Sequence, residues 1–416
     1  MRSKIIGGLL CVFILMGSFF QDPISCAKNS KKPVEKVDTW DDTIWVTRSK
    51  FGLVARNVSS MELSGFENFS WNIYIMQNNK KIVKEVDLFH RKRGKQANYK
   101  LNTVSKKVKG YYPMIDRILL LDQKNRLLET GYEHCLLFEN HTSKKQCQTK
   151  KQTVNKIVQR ELNVKKCWHD MDMFAYVKNN TLYVTGIAAT PYNPSTPDHE
   201  EPACYEYDTV RQFFQGRANG IRDVVCGEDC GAYGNNIFVL MKDGSVWGMG
   251  SNRGKLISNN QKRYYEDFVK IIPRGVKKIA ACAGNVAVIK NNNDLFVWGH
   301  TMKSKSSKKY KNSATPRRIA KNVKDVDISG TDTTLVYLKK NGVAYGMGLN
   351  KGYALTARYK SGWHSRPVKL MKNIKRVYSA GGQATLLLKK NKDLYWTGTD
   401  ECTPCFDWVA KKLSKK

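Results

Sequence analysis

The chain repeats itself. Four segments share one pattern: IRDVVCGEDCGAYGNNIFVLMKDGSVWGMG from Ile221, VKKIAACAGNVAVIKNNNDLFVWGH from Val276, VKDVDISGTDTTLVYLKKNGVAYGMG from Val323 and IKRVYSAGGQATLLLKKNKDLYWTG from Ile374. Each begins with an apolar residue flanked by basic ones. A small-residue turn, an apolar run and a Lys/Asn/Asp/Gly turn follow, and an aromatic-rich run closes in glycine. The closing residues Gly250, Gly299, Gly348 and Gly398 lie 49, 49 and 50 residues apart. Fainter copies close at Gly186 and Gly131, and two further candidates begin at Asn72 and Val34.

The segment LVYLKKNGVAYGMG from Leu335 is two β-rich runs around a turn, which is the mark of a hairpin. A lone hairpin cannot bury both of its faces, so Leu335, Tyr337, Val343 and Tyr345 call for neighbouring sheets. Radial stacking supplies them and leaves only short edges. A period of about fifty residues is long for a solenoid coil and suits a propeller blade.

The fullest copies, VLMKDGSVWGMGSNRGKL from Val239 and AYGMGLNKGYAL from Ala344, end in an aromatic–Gly close followed by Asn and a Gly-bearing turn. On these residues the units resemble regulator of chromosome condensation repeats, of a secreted bacterial type. The resemblance is specific over residues 220–400 and fades toward the N-terminus. It implies an all-β, seven-bladed β-propeller of four-stranded blades. Eight units are counted if the one at Val34 is included, and that one is expected to complete a blade or close the ring. The resemblance also implies a non-enzymatic scaffold that grips a protein partner through propeller faces or protruding loops.

Lys and Arg number 71 against 36 for Asp and Glu, a net charge of +35. Such an excess favours anionic partners: nucleic acid, anionic lipid or acidic wall polymers. Because the lysines are spread along the whole chain, solubility at exposed strand faces and hairpin tips explains most of them. The alternative function is therefore a charge-driven binder of an anionic polymer or surface.

Arg2 and Lys4 precede an apolar stretch from Ile5 to Phe20, and Ser25-Cys26-Ala27 supplies a small-residue cleavage pattern. Residues 1–27 are thus expected to be a signal peptide or a retained anchor, and 28–416 a single propeller domain, secreted or held at the cell surface. Outside the cell disulfides are permitted, and Cys135 with Cys147 and Cys402 with Cys405 are candidate short-range pairs.

Variable segments follow the closing glycines and should gather on one side of the disc. Insertions are expected near 132–156 and 187–219. The second is Pro-rich, acidic and aromatic, and its Tyr192, Tyr205, Tyr207 and Phe213 are candidate anchors for a protein partner. A basic loop, HTMKSKSSKKYKNSAT from His300, offers Lys303, Lys305, Lys308 and Lys309 to an anionic polymer. Cys167-Trp168-His169-Asp170 contains metal-ligand types but occupies a repeat's turn, and Cys402-Thr403-Pro404-Cys405 lacks a thioredoxin-like context. No Walker loop, nucleophile elbow or helical zinc motif occurs. No catalytic residue, metal or cofactor is expected.

Overall fold

The computed structural model describes residues 35–40, 43–65, 71–77, 82–91, 99–106, 108–113, 117–131, 158–169, 173–186, 210–227, 236–282, 284–299, 313–329, 334–380 and 384–402. The strands follow one another in chain order. The first two are β1 (Glu35–Trp40) and β2 (Thr43–Ala55). Blade one holds β3 (Ser60–Gly65), β4 (Trp71–Gln77), β5 (Ile82–Arg91) and β6 (Tyr99–Lys106). Blade two holds β7 (Val108–Pro113), β8 (Arg117–Asp122), β9 (Leu127–Gly131) and β10 (Val158–Glu161). Blade three holds β11 (Lys166–His169), β12 (Met173–Lys178), β13 (Thr181–Gly186) and β14 (Arg211–Phe213). Blade four holds β15 (Ile221–Gly227), β16 (Asn236–Met241), β17 (Val246–Ser251) and β18 (Tyr264–Ile272). Blade five holds β19 (Val276–Cys282), β20 (Asn285–Lys290), β21 (Leu295–Gly299) and β22 (Ser313–Ala320). Blade six holds β23 (Val323–Ser329), β24 (Thr334–Lys339), β25 (Ala344–Leu349) and β26 (Trp363–Met371). Blade seven holds β27 (Ile374–Ala380), β28 (Ala384–Lys389) and β29 (Leu394–Cys402).

The result is a seven-bladed β-propeller of antiparallel sheets. β2 pairs with β29, so the N-terminal segment supplies the fourth strand of blade seven, and β1 adds a fifth. The unit beginning at Val34 is thus the closure of the ring, not an eighth blade. The first strand of each blade is innermost: β11, β15, β19, β23 and β27 lie successively against one another, as do β3, β7 and β11.

The second strands explain the continuous apolar runs of the repeats. MFAYVK, NIFVLM, NVAVIK, TLVYLK and ATLLLK are each buried over five residues and emerge at the sixth. A strand covered by a blade on each face loses the in–out alternation of a half-exposed sheet. Leu335 and Tyr337 are buried in this way, and Tyr337 stacks on Tyr345 with ring centroids 5.5 Å apart.

The closing glycines have a steric reason. Gly250, Gly299, Gly348 and Gly398 pair with the first residue of the second strand and have φ of 104°, 110°, 104° and 123°. A Cβ on Gly299 would lie 2.3 Å from the Gly284 carbonyl oxygen and 2.4 Å from Leu256. Only glycine accepts both that φ and that approach.

Candidate functional site

Three regions of the disc carry chemistry: the axis and the two faces. At the axis the inner strands follow a common register. A bulge comes after the first residue of β7, β15, β19, β23 and β27, and Lys109, Arg222, Lys277, Lys324 and Lys375 occupy it. Lys165, just ahead of β11, occupies the matching position.

The next residue along each inner strand is Lys166, Asp223, Lys278, Asp325 and Arg376 in blades three to seven, so charge alternates from blade to blade. Lys278 pairs with Asp325. The other Asp325 oxygen accepts the Val377 N–H at 3.1 Å, and Asp327 accepts the Ser379 N–H at 2.9 Å. An innermost strand has no neighbour on its axial edge, and these carboxylates satisfy N–H groups that a sheet would leave open.

Burial pushes the Asp327 carboxyl up to about 7, against the Ser379 N–H and Lys278, which favour its charge, and with Asp325, which opposes it. Burial likewise raises Asp223 to about 6, moderated by Lys278, the Val224 N–H, Trp168 and Arg376. Arg376, in blade seven, thus acts on a carboxyl in blade four, as residues across a shared axis do. On the N-terminal side His169 reaches Glu62 at 3.6 Å, and the Tyr112 ring meets His169 edge-on. Cys167 is a buried free thiol held near 12 by burial, which leaves it unreactive. Cys167 and His169 belong to the inner strand β11, not to a turn as the sequence suggested, and no cluster of metal ligands occurs among the described residues.

One face carries the hairpin tips between second and third strands, together with the starts of the inner strands. The two are bonded in succession around the ring. N–H groups of Val164, Ala218, Val276, Val323, Ile374 and Val58 donate to the carbonyls of Asn125, Asn180, Gly244, Asn293, Gly342 and Lys392, each in the preceding blade's tip, at 2.8–3.2 Å. All six acceptors have positive φ, between 59° and 81°. The left-handed residue turns its carbonyl toward the next blade, which is why Asn and Gly recur there.

That belt holds the basic bulges in place. Lys109 Nζ donates to Asn125 Oδ1 at 2.6 Å, Lys277 donates to Asn293, and Arg222 bonds the carbonyls of Lys242 and Lys277. Lys109, Lys165, Arg222, Lys324 and Lys375 are exposed, as are Lys124, Lys242, Lys340, Lys390 and Lys392 at the tips. Burial and then the neighbouring charge disfavour the charged forms: burial and Lys242 lower Lys166, and burial and Lys340 lower Lys277. The described tips also carry the carboxylates Asp122, Asp243, Asp294 and Asp393, which offset part of this charge. Asp122 and Asp294 are buried beside Arg126 and Arg318, and Asp243 is tied to the Ser245 N–H and hydroxyl at 2.8 and 2.7 Å.

The other face receives the connections between third and fourth strands. β9, β13 and β21 run in one sense, so the segments after Gly131, Gly186 and Gly299 leave from the same side of the disc. Tyr192, Tyr205, Tyr207, Lys303, Lys305, Lys308, Lys309, Cys135, Cys147 and Cys405 lie outside the described residues, as do residues 1–34. Of Cys402 only the backbone, at the end of β29, is described.

Phe213 lies on β14, which pairs with β13, so the fourth strand of blade three falls inside the expected 187–219 insertion. Its ring is 9% exposed and meets Phe268 edge-on at 5.1 Å. It fills the seam between blades three and four and is not presented to a partner. Among the described residues no helix is long and apolar enough to cross a membrane.

No family model matches the chain, and no curated protein matches it. Solved structures do. Human WBSCR16 superposes with a TM-score of 0.54 at 14% identity, covering 85% of this chain and 89% of that one. Prp20p from Saccharomyces cerevisiae gives 0.55 at 14% identity, covering 84% of each. Yeast RCC1 (Prp20) bound to Kap60 gives 0.55 at 14% identity, covering 84% of this chain and 81% of that one. At such identity the likeness is one of fold, and in fold the chain is an RCC1-like seven-bladed propeller.

Proposed function

We propose that the chain is an exported, non-enzymatic scaffold that holds a protein partner on the face from which its long connections emerge. The observation that carries this reading is that the segments after β9, β13 and β21 leave a rigid disc on one side. Binding residues gather on loops held by such a frame. Tyr192, Tyr205 and Tyr207 supply aromatic anchors in the second connection, and Lys303, Lys305, Lys308 and Lys309 supply charge in the third. A solved propeller of this fold, yeast RCC1, was captured with the protein Kap60. Export rests on the basic and apolar residues at the N-terminus.

The test is capture from host culture with the full chain and with residues 190–207 removed, which leaves β13 and β14 whole. Loss of a specific protein in the deletion supports the reading. Equal capture by both refutes this segment as the contact. A second reading, a charge-driven binder of polyanionic surfaces, is favoured by the basic ring on the opposite face.

A further inference from the structure

We infer that the basic face docks flat against an anionic lipid bilayer, held by lipid headgroups without insertion. The inference deepens the second reading above and is independent of the protein partner. Its basis is a repeat position that becomes a ring only when the blades surround an axis. Six of the seven blades place a cation at the start of the inner strand: Lys109, Lys165, Arg222, Lys277, Lys324 and Lys375. Five of these occupy bulges, which lift a residue out of the ladder and re-aim it. The tip cations form a wider ring around them, and the belt of hydrogen bonds between blades fixes both.

The shape of the array selects the partner. An annulus presents cations in every direction from the axis, so a plane of charge meets all of them at once. A nucleic acid duplex is a rod and would meet a stripe. Single strands bind largely by base stacking on free aromatic rings. Here Phe296, Tyr345 and Tyr395 are each capped by the ammonium of Lys290, Lys339 or Lys389, 4.5–5.4 Å from the ring centroid. A tight protein interface needs apolar anchors in its centre. Among the described residues this face exposes one large apolar side chain, Leu162. Lysine, a compact charge without a planar fork, predominates in the inner ring, which suits mobile headgroups better than a fixed bidentate site. Near an anionic leaflet each Lys or Arg contributes about fivefold to partitioning, and the effect decays within a Debye length.

The experiment is sedimentation of the full chain with vesicles of phosphatidylcholine alone or with phosphatidylglycerol added. The neutral vesicles report any capture by the apolar stretch 5–20. Binding to the anionic vesicles at low salt and release at high salt are expected. Replacing Lys109, Lys324 and Lys375 together by Gln should weaken that binding roughly a hundredfold. The triple Arg replacement at the same positions should retain it, and Lys262→Gln with Arg317→Gln and Arg366→Gln, on the outer strands and their connections, should stay within about threefold. Equal losses in the two Gln triples would reduce the effect to net charge and overturn the inference. Duplex DNA that binds through the ring while the vesicles do not would overturn it and leave the polyanion reading standing. Binding to neither would remove both.

Discussion

Gly244 and Gly342 hold the same place in blades four and six, with φ of 81° and 80°, and both carbonyls accept the first N–H of the next inner strand. An alanine at either position carries the left-handed penalty, about 1 kcal/mol. Their surroundings differ. A Cβ on Gly244 would lie 2.8 Å from the Gly275 nitrogen and 3.0 Å from the Val276 nitrogen and carbonyl oxygen, all backbone. A Cβ on Gly342 would meet the flexible end of Lys390 at 3.5 Å and the Ile374 carbonyl oxygen at 3.8 Å, both ordinary van der Waals contacts. Backbone cannot rotate away, so Gly244→Ala must push blades four and five apart and lengthen the Val276 bond. Overpacking and a weakened hydrogen bond bring its total to about 3 kcal/mol, against about 1 kcal/mol for Gly342→Ala. Urea unfolding followed by tryptophan fluorescence measures both against the unaltered chain. Losses that agree within about 0.5 kcal/mol would refute the claim that the close approach of blades, and not backbone angle alone, selects glycine at this tip.

Two other predictions concern the same framework. Lys392 has φ of 67° where the other five tips carry Asn or Gly, so Lys392→Asn should stabilise the closing seam by about 0.5–1 kcal/mol, read from the urea midpoint. Asp327 has its folded pKa raised to about 7, so the folded chain holds a proton that the unfolded chain releases near the ordinary carboxylate range. Its contribution is therefore most favourable at and below the unfolded pKa, declines as pH rises toward 7, and is level above. Asp327→Asn keeps an acceptor for the Ser379 N–H. It should flatten that decline, matching the unaltered chain in acid and exceeding it above pH 7, and an unchanged pH slope would count against the assignment.

Much of the fold was legible because a blade writes its geometry into a short period. The closing glycines, the apolar second strands and the Asn/Gly turns are local demands, each met within one repeat. The segment at Val34 left an eighth unit and a ring closure both open, and only the pairing of β2 with β29 decides for closure. What the sequence concealed arises only when repeats are brought side by side. Lys166, Asp223, Lys278, Asp325 and Arg376 are separated by whole blades, and their alternation has no meaning until the inner strands surround an axis. The basic residues flanking each apolar start were visible as part of the repeat, yet scattered lysine looked like solubility. The bulge that lifts them onto one face is a backbone event with no residue signature of its own. Asn125, Asn180 and Asn293 read as turn formers, and their carbonyl bonds to the following blade were not apparent. Phe213 looked like an anchor because an aromatic in a Pro-rich segment resembles a contact loop, whereas β14 had already begun there.

The pairing of β2 with β29 also sets an order in time. Ile44 waits for Cys402 and Arg48 for Gly398, so a ribosome must pass all seven blades before the two halves of the last one can meet. Until then Val54, Val58, Met61 and Ile75 lack the Leu386, Leu388 and Trp396 side chains with which they form one apolar cluster. Until β29 emerges this apolar flank has no cover, and joining ends so far apart in sequence carries a large loop-closure cost. A stop codon within β29 would be expected to disable the entire molecule and not merely its final blade.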